Sequence, residues 1–162
     1  MRFYIAAALA LLLDQLTKVW VRGHMTLGES YPVLNGLYHF TYYRNSGAAG
    51  STFQGYGRYF IIPAVLFVAY VLYARWKGEM RGAAAELGSG LLVGGAVGNA
   101  LDRAIFGWVT DFIDNGRGIL NVADYAINAG VLLLIGSTVY AYIQSRRAKR
   151  NSQPEPEPET AP

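Results

Sequence analysis

The sequence predicts an all-α integral membrane protein: four transmembrane helices, with a small extracytoplasmic β element between helices one and two. Three observations carry that expectation. Of 162 residues, 52% are hydrophobic and only 15% charged, too few polar side chains to coat a soluble sphere of this size. Four apolar runs, residues 3–21, 59–76, 83–101 and 122–143, each approach the ~20 residues that a helix needs to cross ~30 Å of hydrocarbon. Lys and Arg gather in short clusters at the ends of these runs, as around membrane spans, and not along one face as in a nucleic-acid binder. The chain has no cysteine and two histidines, His24 and His39, which excludes disulfide frameworks, thiolate zinc sites, a cysteine nucleophile and a His-rich metal site.

The first run begins like a signal peptide, with Met1-Arg2 before the apolar stretch Ala6 to Leu13. Asp14 and Lys18 interrupt it and no small-residue cleavage site follows, so it is read as a retained helix. Asp14, Thr17 and Lys18 share one face, and Asp14 to Lys18 has the spacing of an internal ion pair. That pair serves either to orient helix one or to take part in chemistry. In the segment from His24 to Arg58, Pro32 and the Asn35-Gly36 turn signal precede a run of β-formers, which predicts a small β element at the membrane surface. Tyr31, Tyr38, Phe40, Tyr42 and Tyr43 are expected to form an aromatic belt at headgroup level. Gly47, Gly50, Gly55 and Gly57 fit either a moving lid or a plain flexible connection.

Within the third run, Gly90, Gly94 and Gly98, with Gly95 beside them, clear one helix face for a close neighbour and mark the centre of a tight bundle. Asn99, Asp102 and Arg103 project from one face near its outer end. The expectation here is structural: Asp102 pairs with Arg103 or a nearby basic group, and Asn99 binds backbone. Arg2, Arg75, Lys77, Arg81, Arg146, Arg147, Lys149 and Arg150 fall on one side of the spans, against Arg22, Arg44, Arg58, Arg103 and Arg117 on the other. The richer side is cytoplasmic, which puts both termini there. Residues 1–150 then form a single membrane-embedded domain, and 151–162, alternating Pro and Glu, a disordered cytoplasmic tail.

Ionisable groups inside or at the rim of a span are costly, so each is a functional candidate. Asp102, Asp111, Asp114 and Asp124 all fall at the outer side. Asn121 can cap the fourth helix, with Asp124 in its first turn, where the helix dipole favours a carboxylate. Capping does not explain Asp111, a second aspartate with apolar neighbours that reaches the same rim. Two carboxyl groups brought together cannot both ionise, so the pair holds one proton between them. That is the equipment of an aspartic protease: one carboxylate takes a proton from water while the other polarises the scissile carbonyl, with no bound metal required.

Five blocks carry a resemblance to a known family. They are Asp14-Gln15-Leu16-Thr17-Lys18, Arg44-Asn45-Ser46-Gly47-Ala48-Ala49, Gly94-Gly95-Ala96-Val97-Gly98-Asn99 continuing to Asp102-Arg103, Val109-Thr110-Asp111-Phe112, and Asn121-Val122-Ala123-Asp124. In this order the chain resembles the lipoprotein signal peptidases, the type II signal peptidases of bacterial inner membranes, up to about Arg150. The resemblance implies a multi-pass inner-membrane endopeptidase that removes the signal peptide of a diacylglyceryl-modified prolipoprotein, cutting just before the lipidated cysteine. It implies Asp111 and Asp124 as the catalytic pair, and Asp14, Lys18, Asn45, Gly47, Asn99, Asp102, Arg103 and Asn121 as residues that shape the site or hold substrate. It implies no cofactor, no metal and no nucleic acid. The partners are the lipid-modified substrate and membrane lipid, the chain is a monomer, and the cyclic peptide globomycin inhibits it.

The sequence departs from the family pattern in carrying Gly50 where an aromatic residue is usual, Leu120 where Phe is common, and a short stretch between Asp111 and Asp124. A serine protease built on Gly88-Ser89-Gly90 would place its serine in the cytoplasmic half of helix three, with no histidine in a span. The alternative from another class is a small transporter or proton-relay subunit using the same carboxylates, which predicts acidic groups spread through the membrane depth.

Overall fold

A computed structural model describes residues 1–48, 52–80 and 82–151. Ala49, Gly50, Ser51, Arg81 and the tail from residue 152 lie outside the described residues, and so do the readings made on them. In chain order the elements are α1 (Arg2–His24), β1 (Ser30–Val33), β2 (Tyr38–Asn45), α2 (Ile61–Trp76), α3 (Ala83–Phe106), β3 (Val109–Asp114), β4 (Ile119–Leu120) and α4 (Val122–Asn151). Among the described residues, three helical segments suffice by length and apolar composition to cross a membrane: Arg2–His24, Gly57–Trp76 and Val122–Ala148.

The third apolar run is a helix, but a differently built one. α3 packs against both α1 and α4, and the glycines explain how it comes so close. A Cβ at Gly94 would stand 2.5 Å from the Ala7 carbonyl oxygen of α1, and one at Gly95 2.5 Å from that of Ala123 of α4. Gly88 and Gly130 face each other across the α3–α4 contact in the same manner. With side chains removed from two faces, backbones on both sides gain dispersion contacts that lipid would not supply. α3 extends past the expected residue 101 to Phe106, so Asp102 and Arg103 are helical. It stops at Gly107, whose φ of 84° gives the left-handed cap.

The β element is larger than expected and is not confined to the first connection. All four strands form one antiparallel sheet in the order β1-β2-β3-β4. β2 pairs with β3, Tyr43 opposite Asp111 and Asn45 opposite Val109, with a register shift between Phe40 and Tyr43. Phe40 and Tyr42, two residues apart on one face of β2, both turn toward the core. Tyr42 is therefore not part of an aromatic belt: it is buried with Val21, Met25 and Phe112 in a core that fixes the sheet to the end of α1. The glycines of the next segment also differ from expectation. A Cβ at Gly57 would meet the Gly107 carbonyl oxygen at 2.5 Å, and one at Gly47 would run into the Thr52 carbonyl, so these two serve close packing.

Candidate active site

The polar residues singled out from the sequence assemble around Asn99 in two connected clusters. The inner one is sealed. Asp14, Lys18 and Asp102 are each 0% exposed, and the Lys18 ammonium lies 2.9 Å from Asp14 Oδ2 and 3.3 Å from Asp102 Oδ2. Asp14 Oδ1 accepts from the Ala123 backbone N–H at 2.9 Å, and Asp102 Oδ2 from that of Thr110, also at 2.9 Å. α1, α3, α4 and β3 thus meet on two carboxylates. Of the two partners expected for Asp102, Arg103 or a nearby basic group, it takes the second: it pairs with Lys18 and, at 3.4 Å, with Arg22. Arg103 instead donates to two backbone carbonyls, Gly47 O at 3.1 Å and Asn99 O at 3.4 Å. Its position one residue after Asp102 rotates it about 100° around the helix, away from the carboxylate.

Asn99 binds side chains where backbone was expected. Its Oδ1 accepts from Lys18 Nζ at 2.9 Å and from Asn121 Nδ2 at 3.1 Å, and its Nδ2 donates to Asp124 Oδ1 at 2.9 Å. The Lys18 ammonium has no lone pair, so it fixes which end of the amide is oxygen and leaves the NH₂ for Asp124.

The outer cluster opens with a reciprocal cap at the start of α4. Asn121 Oδ1 accepts from the Asp124 N–H at 3.0 Å, and Asp124 Oδ2 accepts from the Asn121 N–H at 3.1 Å, the arrangement of a capping box. Asn121 Nδ2 also donates to Asp111 Oδ1 at 2.6 Å. Asp111 Oδ2 accepts from Asn45 Nδ2 at 3.0 Å. Asn45 is diagonal to Asp111 across the β2–β3 ladder, a distance that a side-chain amide spans. Asn45 in turn accepts from the Gly47 N–H at 3.0 Å, which ties the Gly47 turn to the same cluster.

Asp111 and Asp124 both line a cavity of about 550 Å³, walled also by Asn45, Asn99, Arg103 and Asn121. Asp111 is 2% exposed. Burial, and then the charge of Asp124, push its carboxyl up to about 7, against the opposing effect of the Asn121 and Asn45 amides and Lys18. At neutral pH such a group exchanges a proton readily. Asp114, by contrast, accepts from the Gly116 N–H at 2.8 Å and shapes the β3–β4 turn. Among the described residues no three His, Cys, Asp or Glu side chains converge as a metal site. Ser89 is buried and donates to the Ala85 carbonyl at 2.6 Å, which occupies its hydroxyl.

Three contributors escaped the sequence reading. The Gln15 amide donates to Asp14 Oδ2 and the Gly98 carbonyl, both at 3.1 Å, and reaches Asp102 Oδ1 at 3.5 Å. Arg22 donates to Thr110 Oγ1 at 2.9 Å as well as reaching Asp102, and Thr110 is fully buried. The signal for Arg22 is its place four residues after Lys18 and eight after Asp14, on the same helical stripe. For Thr110 there is only its place beside Asp111.

Comparison with known proteins agrees with this architecture. Residues 6–140 match the sequence model of signal peptidase (SPase) II. The chain is 45% identical over 140 residues to the lipoprotein signal peptidase of Gloeobacter violaceus, covering 83% of this chain and 80% of that protein. To the lipoprotein signal peptidase of Listeria welshimeri it is 32% identical over 154 residues, covering 92% and 98%. A bacterial membrane enzyme solved by the in meso method at 2.3 Å superposes with a TM-score of 0.78 at 27% identity over 96% of this chain and 94% of that one. A second, solved at 1.9 Å, gives 0.75 at 30% identity over 84% and 91%. With more than half its length matched and the site blocks inside the matched region, this chain belongs to the signal peptidase II family.

Proposed function

We propose that the chain is an aspartic endopeptidase in which Asp111 and Asp124 share one proton and cut a diacylglyceryl-modified prolipoprotein just before its lipidated cysteine. Removal of signal peptides from prolipoproteins is the activity of its family; the catalytic type and the residue roles are the reading offered here. The observation that carries it is the pairing of two carboxyl groups across one Asn121 side chain on a cavity wall, with Asp111 pushed up to about 7. Asp111 holds the shared proton and donates it toward the scissile carbonyl oxygen. Asp124 takes a proton from the attacking water, whose oxygen bonds to the carbonyl carbon. On collapse the C–N bond breaks, the proton on Asp124 passes to the departing amine of the cysteine, and a hydroxyl of the tetrahedral carbon returns its proton to Asp111 as the carbonyl re-forms. Asn45, Asn99 and Asn121 hold the two carboxyls, and Gly47 and Arg103 shape the rim.

α3 is taken as the fourth, central span, shielded by α1 and α4, which is why it needs fewer apolar side chains than the lipid-facing helices. Both termini lie in the cytoplasm and the cavity opens at the outer face of the inner membrane, in keeping with the excess of Lys and Arg on the other side. Residues 1–150 act as one monomeric domain, with membrane lipid holding the substrate's acyl chains beside the site.

The test is cleavage of a diacylglyceryl-modified prolipoprotein by purified protein in detergent, with Asp111→Asn, Asp124→Asn and Asp114→Asn compared after each is shown to be folded. Loss of cleavage in the first two and retention in the third supports the dyad. Cleavage by either of the first two at the wild-type rate overturns it.

A further inference from the structure

From Ser30 to Tyr43 the β1–β2 hairpin carries no Asp, Glu, Lys or Arg, yet its tip turns large apolar side chains outward. Leu34 is 70% and Leu37 76% exposed. Leu34 and Asn35 both have positive φ, 49° and 56°, a conformation that Asn tolerates and Leu seldom adopts, because its Cβ crowds the following carbonyl oxygen. Neither the conformation nor the exposure is favoured in water. The base of the hairpin fixes where the tip lies. Phe40 of β2 packs edge-on against Trp20, the ring centroids 6.2 Å apart. Trp20 is half exposed, lies one turn before the end of α1, and stacks on His24 at 4.9 Å. The hairpin therefore starts alongside the end of a membrane-spanning helix, at the depth where tryptophan rings settle. Its apolar surface continues the exposed surface of that helix.

We propose that the hairpin tip, Val33 to Leu37, is an interfacial anchor, with Leu34 and Leu37 immersed at the boundary between headgroups and acyl chains of the outer leaflet. A lipid surface suits a tip that is uncharged, flanked by interfacial aromatic rings and continuous with a lipid-facing helix. The inference rests on the outward orientation proposed above. Its use is positional: β2 carries the tip and pairs with β3, which bears Asp111, so the leaflet sets the height of the carboxyl pair against a lipid-tethered peptide bond.

The chain has no cysteine, so Leu37→Cys accepts a single nitroxide probe. In vesicles of phosphatidylethanolamine and phosphatidylglycerol, oxygen should collide with this probe more often than a water-soluble nickel chelate does. The ratio should reverse at Arg117→Cys on the other hairpin. Leu34→Cys gives an independent second reading, and cleavage of a prolipoprotein by each labelled Leu variant shows that it is folded. Probes at both leucines that meet nickel more often than oxygen would put the tip in water and overturn the proposal. A probe immobilised by protein contact would overturn it too, in favour of a protein partner. Orientation is read apart from depth. Reaction of Arg117→Cys with a membrane-impermeant maleimide only from the cytoplasmic side would overturn the outer-leaflet assignment and the proposed orientation together, whereas a wet probe on the correct side defeats the anchor alone.

Discussion

The two carboxylate clusters use the same side chain in opposite surroundings. Below Asn99, Asp14 and Asp102 are matched by Lys18 and Arg22, two negative charges against two positive, with no exposed side-chain surface on either aspartate. Above it, Asp111 and Asp124 are met by amides, from Asn45, Asn99 and Asn121. Among the described residues no Lys or Arg nitrogen forms an ion pair with either. A carboxylate matched by a cation is held in one charge state and serves as a joint between helices. A pair held by neutral donors keeps a proton in play, because an amide stabilises charge without cancelling it. Asn99 belongs to both clusters: the inner cation orients it, and its NH₂ faces the outer pair.

The largest effect should come from removing the proton exchange itself. Asp111→Asn or Asp124→Asn should lower kcat by about 10²–10⁴-fold with little change in thermal stability, measured on a purified lipid-modified substrate. Asp14→Asn should do the reverse, and activity lost ahead of stability there would erase the distinction between the clusters. Lys18→Met should destabilise the fold by about 3–5 kcal/mol, since it strands a buried carboxylate. Thermal unfolding in detergent measures this, and adding Asp14→Asn should restore part of the loss. If Lys18→Met unfolds at the wild-type temperature, the inner cluster is not held by charge. Gly94→Ala, which drives a methyl group into the α1 backbone, should cost about 1–3 kcal/mol and leave the pH profile of the surviving activity unchanged.

The pH dependence is the finest test. The outer pair loses its shared proton as pH rises through about 7, the value for Asp111, so kcat/KM should fall above that point, by about tenfold per pH unit. Because the carboxyl of Asp111 lies above its ordinary 3.8 in the folded protein, the folded state binds the extra proton. Its contribution to stability is complete below about pH 4, declines as pH rises toward 7 and is gone beyond. Asp111→Asn should flatten that slope in a series of unfolding curves. A slope that survives the substitution belongs to another group.

Local patterns were legible in the sequence, and long-range partners were not. The apolar runs place α1, α2 and α4; the glycine spacing marks α3 as central; the Asp14–Lys18 spacing and the Asn121–Asp124 cap read directly, because each is set by residues a turn apart. Strands β1 and β2 are recognisable from Pro32, Asn35-Gly36 and the β-formers behind them. Val109–Asp114 is not recognisable as their partner, since its pairing with Tyr38–Asn45 spans more than sixty residues and leaves no periodic trace in so short a strand. Tyr42 reads as one more surface aromatic for a related reason: its burial depends on Val21, Met25 and Phe112, which no local pattern connects to it. For Arg103 the adjacent Asp102 was the obvious partner by number, yet helical rotation sends the two side chains in different directions. The difference between the clusters, ion pairs in one and, among the described residues, none in the other, depends on which helices are neighbours.

The position of α4 in the chain has a consequence for biosynthesis. Asn121 and Asp124 lie at its start, and the Ala123 N–H that it gives to Asp14 closes the inner joint. All three emerge from the ribosome after α1, α2 and α3. Until that last helix enters the bilayer, Asp111 lacks both its bridging amide and its companion acid. If the proposed pair does the chemistry, proteolytic competence coincides with the completion of assembly.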